Sequence, residues 1–288
     1  MPAETIELVA SDGYRLAADL ALPAGEPHTA VLLAPAMAVP RRLYRAFMDH
    51  LATQGFAVLV LDYRGIGGSA PPSLRGFKAS LLDWARLDLQ AGLDLLKARF
   101  PSVPTVWFGH SVGGQLLGLL KADNGPPVER ALLVAAQSGY WRNWGMPASF
   151  GMFSLWHAMP AVTAMAGCLP MRMLGQGLDV PAGVANQWAD WGRDPRYIGK
   201  AAVELQDAAF HHLAVPVRAV SVTDDAYAPA ASIPPLLALY TRTAPEIVSL
   251  APGDVGLPVI GHFGAFKRPE IWRAWAGFLG GRPLAGGA

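Results

Sequence analysis

The octapeptide Trp107-Phe108-Gly109-His110-Ser111-Val112-Gly113-Gly114 leaves the chain around it few ways to fold. It completes an apolar run, residues 104–108, with the character of a buried parallel strand. Residues 115–121 behind it are compatible with a short helix. The order is strand, tight turn, helix. A serine at such a turn takes a strained backbone conformation, and Gly109 and Gly113 permit the close approach of strand and helix that this requires. The Ser111 hydroxyl is then held out from the strand end. A bare Gly-x-Ser-x-Gly match carries little weight, but one with both flanks has the makings of a nucleophile elbow.

The rest of the chain keeps the same alternation. Residues 5–9 and 15–22 alternate apolar and polar positions around Ser11-Asp12-Gly13, which predicts an antiparallel hairpin at a sheet edge. Residues 30–34 and 57–61 are continuous apolar runs, expected as parallel strands, with a helix over 43–54 between them. Ser80-Leu81-Leu82-Asp83 reads as a capping box, opening a helix with Trp84, Leu87, Ala91 and Leu95 expected on its apolar face. Residues 130–136, 215–222 and 246–250 are further strands. Helices are expected over 233–240 and 270–279, then a loose tail over 280–288. Residues 138–204 break the rhythm, being rich in Gly, Pro, Trp and Met.

A chain of 288 residues, 52% hydrophobic and 16% charged, suits one large core with an insertion. Its formal net charge of +1, with no basic run longer than Arg41-Arg42, argues against a nucleic-acid partner. Cys168 is the only cysteine, so neither an intrachain disulfide nor a cysteine metal cluster is expected. The amino terminus has no charged segment followed by an apolar one, so no signal peptide and a cytoplasmic location are expected. No uninterrupted apolar stretch would span a bilayer, and stable membrane insertion is not expected.

Five segments occur in an order that resembles the α/β-hydrolase superfamily, and among its members bacterial serine hydrolases of the monoacylglycerol-lipase and serine-aminopeptidase type. They are Leu33-Ala34-Pro35-Ala36-Met37, Asp62-Tyr63-Arg64-Gly65-Ile66-Gly67-Gly68-Ser69, Gly109-His110-Ser111-Val112-Gly113-Gly114, Asp225-Ala226-Tyr227-Ala228-Pro229 and Gly261-His262-Phe263-Gly264. The resemblance implies an α/β class fold: a mostly parallel eight-stranded sheet flanked by helices, with residues 1–137 and 206–288 as core and 138–205 as an inserted cap. It implies no cofactor and no metal.

Serine is a poor nucleophile unless a neutral imidazole takes its proton and a carboxylate holds that imidazole in the right tautomer. In the resembled fold the order is serine, acid, histidine. His262 is the only histidine beyond Asp224 and Asp225, so it is the expected base for Ser111. Relatives show Asp-x-x-x-Pro at the acid, a spacing that Asp225 makes with Pro229; Asp224 stays the alternative, otherwise expected to cap a turn or helix. The resemblance also implies an oxyanion hole of two backbone N–H groups, one from Val112 and one from Ala36 or Met37. Relatives usually have His-Gly-x at that second loop, where this chain has Ala34-Pro35-Ala36-Met37. His110 is expected to pack, not to transfer protons. The glycine-rich run 65–68 lacks a following Gly-Lys-Ser/Thr and opens no helix, so it reads as structural.

Trp141, Trp144, Met146, Trp156, Met159 and Trp188 stand in a segment whose only charges between Asn143 and Ala189 are Arg172 and Asp179. Part of this apolar surface is expected to pack the cap, and part to line a pocket over Ser111. The expected reaction is hydrolysis, through an acyl-enzyme, of an uncharged small-molecule ester, thioester or amide with an apolar part. Transfer of the acyl group to another nucleophile is the alternative within the same chemistry. A non-catalytic small-molecule receptor is the alternative outside it, against which the intact Ser111, Asp225 and His262 argue.

Overall fold

In the computed structural model, which describes residues 3–122 and 125–281, β1 (Glu4–Val9) and β2 (Arg15–Ala21) form the expected hairpin, Leu8 opposite Leu16. β3 (Thr29–Ala34) is joined to β4 (Phe56–Leu61) through α1 (Arg45–Thr53). A continuous helical run follows: α2 (Leu81–Asp83), a π-helical stretch (Trp84–Leu89) and α3 (Gln90–Arg99). β5 (Thr105–His110) leads through Ser111 into α4 (Val112–Leu116), and β6 (Ala131–Val134) comes next. Residues 138–205 then carry α5 (Ala148–Ala166), the ribbon of β7 (Cys168–Leu169) and β8 (Val180–Pro181), α6 (Ala182–Arg193) and α7 (Gly199–Glu204). The alternation resumes with α8 (Ala209–His212), β9 (Val217–Val222), α9 (Ile233–Leu237), β10 (Glu246–Leu250), α10 (Gly261–Gly264) and α11 (Pro269–Leu279).

Eight strands make one sheet in the order β1-β2-β4-β3-β5-β6-β9-β10, parallel from β4 to β10 and antiparallel where β2 meets β1 and β4. The continuous apolar strands are buried on both faces, as all-parallel packing requires. Because successive side chains alternate, β3 sends Val31 and Leu33 into one core with Phe47 of α1 and Trp275 of α11. Leu32, between them, joins the other core with Leu93 of α3 and Leu116 of α4. The segments that carry Ala36 and Met37, Ser111, Asp224 and Asp225, and His262 follow the carboxyl ends of the parallel strands β3, β5, β9 and β10, where an open α/β sheet offers its crevice.

Ser80 and Asp83 form the expected capping box: Ser80 Oγ accepts the Asp83 N–H (3.1 Å) and the Asp83 carboxylate accepts the Ser80 N–H (2.8 Å). The apolar face that follows differs from expectation. Leu87, Ala91 and Leu95 are only half-buried, while Asp88, Leu89, Leu93 and Leu96 point inward. The π-helical stretch inserts an extra residue into the turn and rotates the face beyond Trp84. That rotation delivers the buried Asp88 to Arg64, whose Nε and backbone N–H donate to it at 2.7 and 2.8 Å. Residues 282–288 of the expected tail lie outside the described residues. Among the described residues no helix is long and apolar enough to cross a membrane.

Candidate active site

Ser111 has φ +53° and ψ −120°, the strained conformation that the turn demands. Its N–H is donated to the Val134 carbonyl on β6 (2.9 Å), and its own carbonyl accepts from Gln115 N–H (3.2 Å) one turn into α4. A side chain at Gly113 would strike the Ala34 carbonyl at the end of β3, so this glycine sets how closely α4 approaches the sheet.

The turn after β9 presents two adjacent aspartates that do separate work. Asp225 is buried, its Oδ2 lies 2.7 Å from His262 Nδ1, and its Oδ1 accepts the Tyr227 and Ala228 N–H groups at 2.8 and 3.1 Å. A carboxylate only accepts, so His262 Nδ1 carries a proton, the tautomer in which Nε2 is the ring's acceptor nitrogen. Asp224, more exposed, accepts the N–H groups of Ile260 (2.9 Å) and Gly261 (3.0 Å). It therefore ties down the segment that carries His262, the short helix α10.

His110 binds these parts together. Its Nε2 faces the His262 carbonyl at 2.9 Å, and a carbonyl cannot donate, so His110 Nε2 carries the proton and Nδ1 accepts the Tyr44 hydroxyl proton at 2.8 Å. Tyr44 Oη in turn accepts the Ala36 N–H at 2.8 Å. Burial, and then the neighbouring His262, push the His110 pKa well below its ordinary value, so the ring stays neutral.

This arrangement corrects one expectation for the oxyanion hole. The Ala36 N–H is already used by Tyr44, so it is not free to meet an oxyanion. Tyr63 O–H donates to the Pro35 carbonyl at 2.9 Å, so the Pro35–Ala36 peptide is gripped at both ends by buried tyrosines. Met37, next along the loop, is the remaining candidate there. Val112 opens α4, and the N–H at the first position of a helix has no acceptor within it.

Several expected pocket residues turn out to pack the insertion. Trp156 is wholly buried, its indole N–H donated to Gly139 (3.0 Å) and its ring edge-on to Trp188 at 4.7 Å. Met159 is 2% exposed. Neither has surface to offer a ligand, because both fill the seam between α5 and α6. Met146 errs in the other direction, lying 78% exposed before α5. Trp144 donates to the Ala226 carbonyl beside Asp225 (3.1 Å), Trp188 donates to Tyr197 Oη (2.8 Å), and Trp141 is half-buried against Phe153 with Arg142 over its ring.

The part of the insertion that reaches across the strand ends is residues 170–179. Leu178 N–H donates to the Ala38 carbonyl (2.8 Å), and Gln176 Oε1 accepts the Tyr227 hydroxyl (2.8 Å). The segment thus touches both the loop after β3 and the aspartate turn. Gly177 has φ +121° and presses against the Ala38 carbonyl, a contact no side chain would allow. Nothing in the pattern of Gly, Met and Leu over these residues announced that role. Tyr44, Gln115, Gln137 and Gln176 were likewise not singled out by sequence; the only hint was that Gln115 and Gln137 are polar residues set in apolar surroundings.

The glycine-rich run 65–68 folds around an internal anion. The Asp62 carboxylate accepts the Gly68 N–H (2.8 Å) and the Arg41 backbone N–H (2.7 Å) and pairs with the Arg41 guanidinium. Among the described residues, no group of three His, Cys, Asp or Glu side chains is arranged to hold a metal ion.

Comparison with known proteins gives a consistent pattern. The family described as serine aminopeptidase, S33 matches residues 25–189. No curated protein matches the chain in sequence. Among solved structures, a highly thermostable carboxyl esterase from Bacillus coagulans, in complex with glycerol, superposes with a TM-score of 0.61 at 14% identity, over 98% of this chain and 99% of that one. A hydrolase from Pseudomonas aeruginosa gives 0.59 at 20% identity, over 95% and 96%. A lipase in its open form gives 0.63 at 17% identity, over 96% and 98%. At these identities the likeness speaks for the fold.

Proposed function

The chain belongs to the serine aminopeptidase S33 family of α/β hydrolases, and from that premise we propose that it cleaves an uncharged, partly apolar carboxylic ester, or a related thioester or amide, through an acyl-enzyme on Ser111. His262 Nε2 takes the Ser111 proton as Oγ attacks the carbonyl carbon, and returns it to the leaving group as the carbon–oxygen bond breaks. Asp225 fixes the His262 tautomer and stabilises the imidazolium. The N–H groups of Met37 and Val112 meet the negative charge that develops on the carbonyl oxygen. Water, activated by His262, then attacks the acyl-enzyme and releases the acid.

One observation carries this reading: the buried 2.7 Å Asp225–His262 pair, whose His262 carbonyl accepts from the ring of His110, the residue before Ser111. Residues 138–205 act as a cap, with the 170–179 segment as the part that meets the substrate. Apolar surface near the base comes from the rings of Tyr227 and Phe263, 5.3 and 4.8 Å from the His262 ring. Their uncharged faces favour an apolar acyl or alcohol group. The test is kcat/KM for p-nitrophenyl esters of increasing acyl length, with Ser111→Ala as control. Each added methylene should improve kcat/KM several-fold, by about 0.8 kcal/mol, until the space is filled. A flat or falling series would remove the apolar acyl site, and turnover that survives Ser111→Ala would remove the mechanism.

A further inference from the structure

A line of buried polar side chains runs from the insertion to the aspartate turn, and none of its members touches the catalytic atoms. Trp188 on α6 donates its indole N–H to Tyr197 Oη at 2.8 Å. Tyr197 donates its O–H to Gln115 Oε1 at 2.8 Å. Gln115 Nε2 donates to Gln137 Oε1 at 3.1 Å, and Gln137 Nε2 donates to the Tyr227 carbonyl at 3.1 Å. The Tyr227 carbonyl shares its peptide unit with the Ala228 N–H, one of the two donors that hold Asp225 Oδ1. Tyr197, Gln115 and Gln137 are 1%, 1% and 5% exposed, so water does not compete for these bonds.

The ends of the line fix its direction. An indole N–H can only donate and a peptide carbonyl can only accept, so every proton between them must point from Trp188 toward Tyr227. This determines which way both glutamine amides face. It also requires the Tyr197 phenol to keep its proton, and burial raises its pKa in that sense. Bonds aligned head to tail polarise one another, and breaking one leaves buried partners unsatisfied along the line. The line spans three separate parts of the chain. Trp188 and Tyr197 belong to the insertion, Gln115 lies four residues beyond Ser111 on α4, and Gln137 follows β6.

We infer that Tyr197, Gln115 and Gln137 are positioning residues through which seating of the insertion on the sheet sets the turn that aims Asp225 at His262. The inference rests on the proposed roles of Ser111, Asp225 and His262. The turn at residues 225–228 is short and exposed at Ala226 and Tyr227, and Gln137 holds it from beneath by the Tyr227 carbonyl. With that hold released, the Tyr227–Ala228 peptide is free to rotate, and Asp225 Oδ1 loses the Ala228 N–H that orients it. A polar network that only filled the core would affect stability and leave the acid alone.

The test uses the full-length protein and three variants: Tyr197→Phe, which removes a single oxygen, Gln137→Leu, which removes the donor to Tyr227, and the two combined. Steady-state kinetics on one p-nitrophenyl ester are read with the low-field proton resonance of the Asp225–His262 hydrogen bond. Each single variant should lower kcat roughly tenfold with KM little changed, a size fitting the loss of one buried hydrogen bond and the stranding of its partner. Each should also shift or broaden the resonance. Because both act on one line, the double variant should lose no more than the worse single one; independent sites would multiply. Unchanged kcat and resonance in a folded Tyr197→Phe, or fully multiplicative losses, would overturn the relay. Should Gln137→Leu fail to fold, Tyr197→Phe with the resonance decides alone. Ser111→Ala in parallel separates the two levels: turnover that survives it removes the mechanism, whereas turnover that depends on Ser111 but ignores Tyr197 and Gln137 removes only the relay.

Discussion

Asp224 and Asp225 are neighbours in sequence and hold the segment around His262 from two sides. Asp225 meets the His262 ring at 2.7 Å, and Asp224 takes the backbone N–H groups of Ile260 and Gly261 just before it. Successive side chains leaving a strand end diverge, and here the divergence separates orientation of the ring from anchorage of its backbone. Asp225→Asn should reduce kcat roughly ten-thousand-fold by presenting the wrong partner to Nδ1. Asp224→Asn keeps one acceptor oxygen, so its kcat should fall only about tenfold. Kinetics of the two purified variants check this, and the reverse ranking would move the acid to Asp224.

The Pro35–Ala36 peptide is clamped by Tyr63 on its carbonyl and Tyr44 on its N–H. Tyr44→Phe leaves a buried N–H and His110 Nδ1 without partners, a loss of about 1–3 kcal/mol in stability. The freed Ala36 N–H also loosens the loop that carries Met37, so kcat should drop more than KM rises. Urea unfolding together with steady-state kinetics reads both effects.

His110 sets a pH limit on stability. Its folded-state pKa is depressed by burial, so below about pH 6.5 the unfolded chain binds a proton there that the native state refuses. Its contribution to stability is therefore complete above that pH and lost as pH falls, at a slope approaching about 1.4 kcal/mol per pH unit. Urea midpoints between pH 8 and 5 should fall less steeply for His110→Asn than for the wild type. Equal slopes would mean that His110 is not held neutral.

Gly177 adopts a backbone conformation that other residues rarely take, with the Ala38 carbonyl where a side chain would be. Gly177→Ala should lift the 170–179 segment from the loop after β3 and lower kcat/KM by about tenfold, with little change in melting temperature, because the segment is exposed and contributes little to the core. A large loss of melting temperature with normal kcat/KM would show that the segment stabilises the fold without meeting the substrate.

The sheet was legible because continuous apolar runs such as residues 30–34 and 57–61 can be satisfied only by burial on both faces, and because Gly109 and Gly113 fix the turn between them. The order serine, acid, histidine in the resembled fold pointed to His262, and the spacing to Pro229 favoured Asp225 while leaving Asp224 as the alternative. What sequence did not disclose was side-chain placement in irregular segments. Trp156 and Met146 are both large and apolar, yet Trp156 lies on the face of α5 that is sealed against α6 and Met146 lies exposed ahead of the first turn of α5, a difference that composition does not encode. The rotated face of the helical run after Ser80 has the same origin, since a π-helical turn leaves no signature in a 3.6-residue pattern. That the Ala36 N–H is already engaged depends on Tyr44, eight residues further along, whose hydroxyl accepts it.

The central claim is that Ser111 is the nucleophile, and it is tested most directly by treating the native protein with a fluorophosphonate and locating the adduct by peptide mass spectrometry. The expected result is one adduct per chain, on Ser111, forming in step with loss of ester hydrolysis and absent from His262→Ala, whose serine lacks its base. Ester hydrolysis that persists with Ser111 fully modified, or an adduct on another residue that accounts for the inactivation, would contradict it.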